Sequence, residues 1–576
     1  MNEQRNLLIA IVLSVLILFG FQWLFPKAPP PAPADVSAPA SGSASVPPAP
    51  QGSQAPAVAV QAPNAAESRA AALDSSRRIP VRTPKLHGSI AVTGARLDDL
   101  TLVEHRETTD PNSPAIVLLS PVGSANPYYA EFGWVPADGA AKVPGADTVW
   151  SVAPNTTELA PGGAVVLSWD NGEGLRFVRT YTVDENYMFA ISQRVENYGS
   201  KPISLHPYGL IVRVGTPATS GMYILHEGPL GVFDGTLKET KYADLKKEGT
   251  VREKSVGGWA GITDKYWLTA LVADPKAEVT GRFVYQTRDK GDQYQVDFTG
   301  AAVAVAPNAS AEAGFHMFAG AKQVDLLDAY GEKLGIDKFA YAIDFGWFWF
   351  LTKPFFYLLQ MMHSALGNMG LAILALTVLI KAAMFPLANK SYVSMSKMKN
   401  LQPEMKKLQE RFGDDKMRQQ QEMMALYKRE KVNPVSGCLP MLVQIPVFFA
   451  LYKVLFVAIE MRHAPFYGWI HDLSAPDPTT VFNLFGLIPW DAVHALPSFL
   501  HLGVWPLIMG VTMFLQQKLN PQPTDPVQAK MMSFLPIVFT FLLANFAAGL
   551  VIYWAWSNTL SILQQWVIMR KAGAKS

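Results

Sequence analysis

Five blocks of apolar residues crowd the chain after residue 345, at about Asn368–Leu387, Cys438–Ile459, Leu500–Gln517, Ser533–Asn545 and Gly549–Met569. Another run, Leu7–Phe25, stands near the N-terminus. A helix that crosses the bilayer core needs about 20 predominantly apolar residues. The pattern therefore predicts a polytopic α-helical membrane protein with six transmembrane helices. The Ser533–Asn545 block is short for a crossing, which predicts little tilt or a locally thinned bilayer. The chain is 49% hydrophobic and 17% charged. It is the uneven placement of the apolar residues, not their total, that gives the membrane layout.

The apolar run Leu7–Phe25 exceeds the ~7–15-residue core of a signal peptide. It reads as an uncleaved anchor over residues 1–27. Ala32-Pro33-Ala34 loosely resembles a small-residue cleavage site, so a cleaved signal stays open as the alternative. Residues 28–78 are rich in Ala, Pro and Ser and offer almost no apolar bulk, which predicts a disordered linker. Residues 79–338 read as a large β-sandwich. AVVLSWDNGEGLRFVRTYTV gives strand, Asn171-Gly172 turn and strand, with Leu175, Phe177, Arg179 and Tyr181 on the alternation. AIVLLS, YYAEFGWV, YMFAISQRVEN, LIVRVG, GRFVYQT and YQVDFTG are further strand candidates. A helical stretch, Lys322–Lys333, closes the domain. Phe345–His363 is aromatic-rich and interrupted by Pro354, which predicts an interfacial amphipathic helix within 339–366. The alternative is that it begins the next crossing.

Positive charge fixes the expected orientation. Lys390, Lys397, Lys406, Arg411, Lys428 and their neighbours fill the segment between the second and third blocks. Lys518 and Lys530 follow the fourth, and Arg570, Lys571 and Lys575 end the chain. The intervening short loops carry almost none, Arg462 excepted. Both termini are then cytoplasmic, and the β domain lies in a periplasm-like space. A net charge of +2 leaves no footprint for nucleic-acid recognition. One cysteine, Cys438, excludes an intrachain disulfide and a cysteine zinc cluster. HExxH and GxxxxGK[ST] are both missing, so no metal, cofactor or catalytic set is expected.

The cytoplasmic segment 388–437 predicts a helical hairpin. Met398, Leu401, Met405, Leu408 and Phe412 make one seam at 3- and 4-residue steps. Gly413-Asp414-Asp415 breaks it, with Asp415 able to cap a second helix over about Lys416–Lys431. There Met417, Met424 and Tyr427 share a face. These methionines either glue the hairpin or form an adaptable contact surface.

Polar residues also stand inside the apolar blocks. Lys381 lies in LAILALTVLIKAAMFPLANK, four residues after Thr377 and on the same helical face. Gln444 lies in the third block, Thr512 and Gln516 in the fourth. Tyr553, Trp554, Ser557, Asn558, Ser561 and Gln565 lie in the last. A cation at the bilayer centre costs at least about 3 kcal/mol on insertion scales. Such groups are expected to face protein or water. Snorkelling of Lys381 to the headgroups is the other reading. Lys453 is read the same two ways, as a lysine snorkelling outward and pairing with Glu460 or as a second buried charge.

The stretch TVLIKAAMFPLANKSYVSMSKMKNLQPEMKKLQERFGDDK, with QEMMALYKREKVNPVSGCLPMLVQIPVFFALY, WIHDLSAPDP and SNTLSILQQWVIMR, resembles the core of the YidC family of membrane protein insertases. The resemblance covers most of residues 345–571. The anchor, linker and outer domain are similar in layout to the Gram-negative bacterial form. It implies an inner-membrane insertase and chaperone, not an enzyme, whose five-helix core over 367–571 encloses a polar groove. Lys381, Thr377, Gln444, Tyr553, Trp554, Ser557 and Asn558 would line that groove. Met398, Met405, Met417 and Met424 would be the contacts of the hairpin. Nascent membrane proteins, the lipid bilayer, the Sec translocon and the ribosome are the implied partners. The family commonly has arginine where this chain has Lys381; a lysine keeps the charge while wet but lacks the bidentate grip. Some members carry long basic tails that touch the ribosome. Here the tail, 572–576, is short, which would leave that contact to the hairpin. An ion-coupled transporter is disfavoured by the lack of acids within the core blocks. A tethered carbohydrate enzyme is disfavoured by the lack of a carboxylate pair in the β domain.

Overall fold

The computed structural model describes residues 68–571, apart from 140, 155, 222–224, 289–290, 413–414, 431, 433–438, 489–500 and 521–525. The expected anchor, the linker up to residue 67, Gly413-Asp414, Cys438 and the C-terminal tail lie outside the described residues. The chain divides into two compact units. One joins Gln51–Ala372 to Pro446–Ala475; the other contains Ile373–Ile445 and the residues from Pro476 onward.

The first unit is built on two antiparallel sheets. In the ten-stranded sheet the order is Arg78–Arg82, Leu86–Ala91, Arg96–Arg106, Tyr128–Pro136, Ile203–Val214, Gly291–Gly300, Glu278–Arg288 and Thr250–Val256. Ala115–Leu119 and Val303–Val305 pair at its side. The nine-stranded sheet runs Thr236–Glu239, Gly228–Phe233, Trp259–Thr263, Trp267–Ala273, Ala309–Ala321, Met188–Asn197, Leu175–Val183, Ala164–Asp170 and Ser151–Val152. All six strand candidates read from the sequence fall in these strands. The sheets face each other. Phe132 of the first packs its ring 6.4 Å from Tyr181 and 6.2 Å from Phe315 of the second. Across the same interface, Gln193 Nε2 donates to the Tyr208 carbonyl at 3.2 Å.

Local chemistry explains the pairings. Along Leu175–Val183, alternate residues are buried and the others are partly or fully exposed, as a pleated strand over a core requires. The buried set includes Arg179. Its guanidinium donates to the carbonyls of Phe132, Ala95 and Gly94 and lies 4.6 Å from the Trp150 ring. Carbonyl dipoles and an aromatic face replace the water this cation gave up. The turn before this strand is held by Asn171, whose Oδ1 accepts from Glu173 N at 2.7 Å and Leu175 N at 3.0 Å.

Helices complete the unit. Val324–Leu334 follows the last strand, and Trp349–Leu366 binds back to it. Asp328 accepts from Lys353 Nζ at 2.9 Å and from the Tyr357 hydroxyl; Asp325 accepts from Gln360 Nε2 at 2.7 Å. Positions 353, 357 and 360 form one helical face, so a single row makes all three contacts. Trp347, Trp349 and Phe350 are exposed around the start of this helix. Arg462, the charge that breaks the pattern of the short loops, donates to the Arg106 carbonyl and, at 3.2 Å, to that of Glu107. It also stands over the Trp267 ring at 5.5 Å. His105 packs against the same ring, and burial with Arg462 nearby pushes its imidazole down to about 4.

In the second unit the dominant elements are helices. Met369–Ala383, most of which belongs here, is followed at once by Phe385–Arg411 with a 66° bend. Pro386 stands in the first turn beyond the bend, where a missing N–H costs least. Lys416–Arg429, the first part of Leu439–Val457, Val504–Leu519, Pro526–Leu543 and Ala548–Lys571 follow, the third-last and last packing closely; from Pro446 onward Leu439–Val457 belongs to the first unit. Among the described residues no single helix is long and apolar enough to cross a membrane; the bent pair meets that test jointly. The block expected over Ser533–Asn545 is part of an 18-residue helix that starts at Pro526. Its first turns carry Gln528 and Lys530, so hydropathy alone hides them. A Cβ on Gly510 would come 2.1 Å from Thr540 Oγ1, which shows how tightly Val504–Leu519 and Pro526–Leu543 approach.

The segment ahead of Val504–Leu519 caps it. Asp477 Oδ2 accepts from Trp505 N at 2.9 Å, and Thr479 Oγ1 accepts from Val504 N at 3.0 Å. Asp477 Oδ1 in turn holds Thr479 through its N–H and hydroxyl. Two of the unsatisfied N–H groups at that helix start are thus met by side chains far back in the sequence.

Candidate functional site

Ala548–Lys571 places a row of polar side chains at four-residue steps: Tyr553, Ser557 and Ser561. A row of this kind climbs about 12 Å along a helix at 1.5 Å per residue. All three residues are buried. Gln444 Nε2 donates to the Tyr553 hydroxyl at 3.3 Å. Ser561 Oγ donates to the Ser557 carbonyl at 2.9 Å. At the end of the row, Lys381 Nζ donates to Ser561 Oγ at 2.8 Å. Gln564 Nε2 donates to the Lys381 carbonyl at 3.4 Å, and Trp556 Nε1 to the Leu374 carbonyl at 3.2 Å. The last helix is therefore stitched to the bent helix at the lysine and again at Leu374, before it.

Lys381 is half-buried, and no carboxylate among the described residues is placed to pair with it. An ammonium has three donors. One goes to Ser561, which leaves the charge itself without an opposite charge from the described residues. Such a group attracts an anion from outside.

The expected groove residues do not all join this row. Thr377 is buried, but its hydroxyl donates to the Ile373 carbonyl of its own helix at 2.7 Å. Trp554 is half-buried and packs against the apolar cluster of Met509, Leu543, Val551 and Ala555. Asn558 turns to the neighbouring helix, where Nδ2 donates to Thr512 Oγ1 at 3.4 Å. Gln565 pairs with Asn520. The broad polar face seen in the sequence thus separates into a row toward Lys381 and contacts toward Val504–Leu519. The sequence does not mark out Gln564. A glutamine is a conventional surface type on an amphipathic stretch, and only the packing of the two helices brings this one to the Lys381 carbonyl.

Lys453 differs from the expected pairing with Glu460. Its Nζ lies 2.7 Å from Asp344 Oδ2, within the first unit. Asp344 also accepts from Gly346 N at 3.0 Å and His226 N at 3.3 Å. Gly346 has φ of 72°, and a Cβ there would meet the lysine stem at 2.8 Å. A glycine is needed on both counts.

In the two helices after the bend, Tyr427 donates to Met405 Sδ at 3.7 Å, and Arg429 pairs with Glu404 at 3.0 Å. Met405 is buried and Met398 half-buried. Asp415 caps the second helix by accepting from Arg418 N at 3.0 Å. The inward face of that helix is Met423 and Leu426, while Met417 and Met424 point outward.

An antiparallel β-sandwich followed by a helical part with outward apolar side chains and an inward polar row defines a two-part, membrane-type protein. The YidC periplasmic domain family matches residues 78–358, and the 60Kd inner membrane protein family matches residues 361–575. The chain belongs to the YidC family of membrane protein insertases. It is 49% identical over 597 residues to the membrane protein insertase YidC of Methylorubrum extorquens (strain PA1), covering 100% of this chain and 96% of that one. With the protein of the same name from Granulibacter bethesdensis it is 50% identical over 576 residues, covering 99% and 98%. A crystal structure of an active YidC insertase with its first transmembrane domain resolved aligns with 85% of this chain and 92% of that one, at 17% identity and a TM-score of 0.34.

Proposed function

We propose that this chain carries hydrophobic segments of newly made membrane proteins from water into the inner membrane by way of the polar row that ends at Lys381. The observation that carries this reading is the inverted polarity of the helical unit. Val511, Ile537, Leu542 and Leu563 are 53–59% exposed, while Gln565, Ser561 and Ser557 are 0–6% exposed. Outward apolar and inward polar groups suit lipid outside and a wet path inside. Water along that path shortens the dry distance for a substrate's polar tail. The fixed ammonium attracts acidic residues on the tail, and the apolar segment leaves sideways, driven by about 25 cal/mol per Å² of buried apolar surface. No nucleotide enters the step.

The arrangement belonging to this reading has six crossings, cytoplasmic termini and the sandwich on the periplasmic side. The Phe385–Arg411 and Lys416–Arg429 helices form its cytoplasmic hairpin, and Trp349–Leu366 lies along the outer interface. The Sec translocon and the ribosome are partners by family likeness. Photo-crosslinkers at Gln444 and Asn558 test the path during insertion into proteoliposomes. They are expected to capture a nascent apolar segment, whereas one at the exposed Val149 of the sandwich is not. Efficient insertion with no capture at either inner position would overturn the reading.

A further inference from the structure

The Ser561 hydroxyl is shared between its own helix and Lys381. A serine hydroxyl offers one proton and two lone pairs. The proton is committed to the Ser557 carbonyl at 2.9 Å. The contact with Lys381 Nζ at 2.8 Å must then be accepted. Lys381 stands just before the bend, in the last turn of Met369–Ala383. One buried oxygen on the last helix therefore fixes the lysine head at the bend.

We propose that Ser561 is a positioning residue that holds the Lys381 ammonium at one point of the path, with its remaining donors turned to a passing carboxylate. The proposal rests on the reading of Lys381 given above. Without the hydroxyl, the long flexible stem spreads the charge over several positions, including the headgroups. Selectivity for acidic tails then falls, while insertion of neutral tails continues.

The test uses the full chain in proteoliposomes and two substrates that differ only in acidic or neutral residues in the translocated tail. The readout is the ratio of their insertion rates. Ser561→Ala is expected to lower that ratio about tenfold, the lower end for a hydrogen bond to a charged group. Ser561→Cys keeps the shape but accepts poorly; it gives the same loss and decides the matter if the alanine variant fails to accumulate. Ser561→Thr restores the ratio to within about twofold, because its hydroxyl is retained. A ratio unchanged in Ser561→Ala and Ser561→Cys, with Lys381→Ala reducing it, overturns the positioning role alone. An equal fall for both tails does the same, since it marks a merely structural role. A ratio unchanged in Lys381→Ala overturns the underlying reading instead.

Discussion

The pair formed by Lys453 and Asp344 allows a prediction that separates an anchor from a substrate-path charge. The perturbations are Lys453→Met, Asp344→Asn and the double variant. At 2.7 Å the raw attraction is about 6 kcal/mol for an effective dielectric of 20. Desolvation of both groups cancels much of it, and breaking a fully buried pair from one side costs about 3–5 kcal/mol. The lysine side chain is 12% exposed but the aspartate 24%, so about 2–3 kcal/mol is the appropriate scale. Lys453→Met falls at the low end, because Asp344 keeps the N–H groups of Gly346 and His226. Asp344→Asn falls at the high end, because it removes the carboxylate from a cation on an apolar helix. The double variant returns to within about 1 kcal/mol of the parent, a coupling of roughly 2 kcal/mol. Equilibrium unfolding of the purified chain in mixed micelles measures all four species, and the insertion assay follows the same proteins. Additive costs, with coupling under about 0.5 kcal/mol, would refute the ion-pair reasoning. A selective loss of acidic-tailed substrates in the double variant would place Lys453 on the substrate path.

Lys381→Glu reverses a charge whose attraction for an acidic residue at about 4 Å is ~1 kcal/mol even in bulk water, so insertion of acidic-tailed substrates falls roughly thirty-fold. Lys381→Arg keeps activity, and equal rates for the Glu variant and the parent would exclude the charge mechanism. In the sandwich, burial pulls buried Lys322 down to about 8, against which Asp264 and Asp344 act only in part. The folded state therefore holds fewer protons than the unfolded one between about pH 8 and 10.5, and this group's penalty, on the order of 3 kcal/mol, is full below that window and gone above it. Lys322→Met removes that rise from the pH dependence of urea unfolding. Asp477→Ala removes the cap on Trp505 N and costs about 1–2 kcal/mol, with faster amide exchange at Trp505 as the local sign.

Much of the sandwich was legible because a strand over a core repeats every second residue. Leu175–Val183 shows it with an arginine in the buried phase, and Arg179 keeps its place because three carbonyls accept from its two terminal nitrogens and the Trp150 ring covers its charge. Gly228–Phe233 shows the limit: every residue in it is buried, so nothing alternates. Helix ends were hidden for a related reason. Hydropathy reports apolar content, while the helix at Pro526–Leu543 begins in a polar turn. In Lys416–Arg429, Met417 and Met424 share one angular phase and Met423 stands in another, and nothing in the sequence marks the second as the inward one.

Partners were the least legible part, and the two lysines explain why. Periodicity relates residues on one helix, so it placed Thr377 beside Lys381 and offered Glu460 to Lys453. Both structural partners come from elsewhere in the chain, Ser561 for one and Asp344 for the other. They differ in kind as well as in place. Lys453 meets a carboxylate, which neutralises it and makes it an anchor. Lys381 meets a hydroxyl that is already committed to a backbone carbonyl, which orients the ammonium and leaves its charge intact. A buried cation that is positioned but not neutralised keeps its attraction for an anion that is not part of the protein, and that difference, rather than burial alone, supports the substrate-facing role proposed for Lys381.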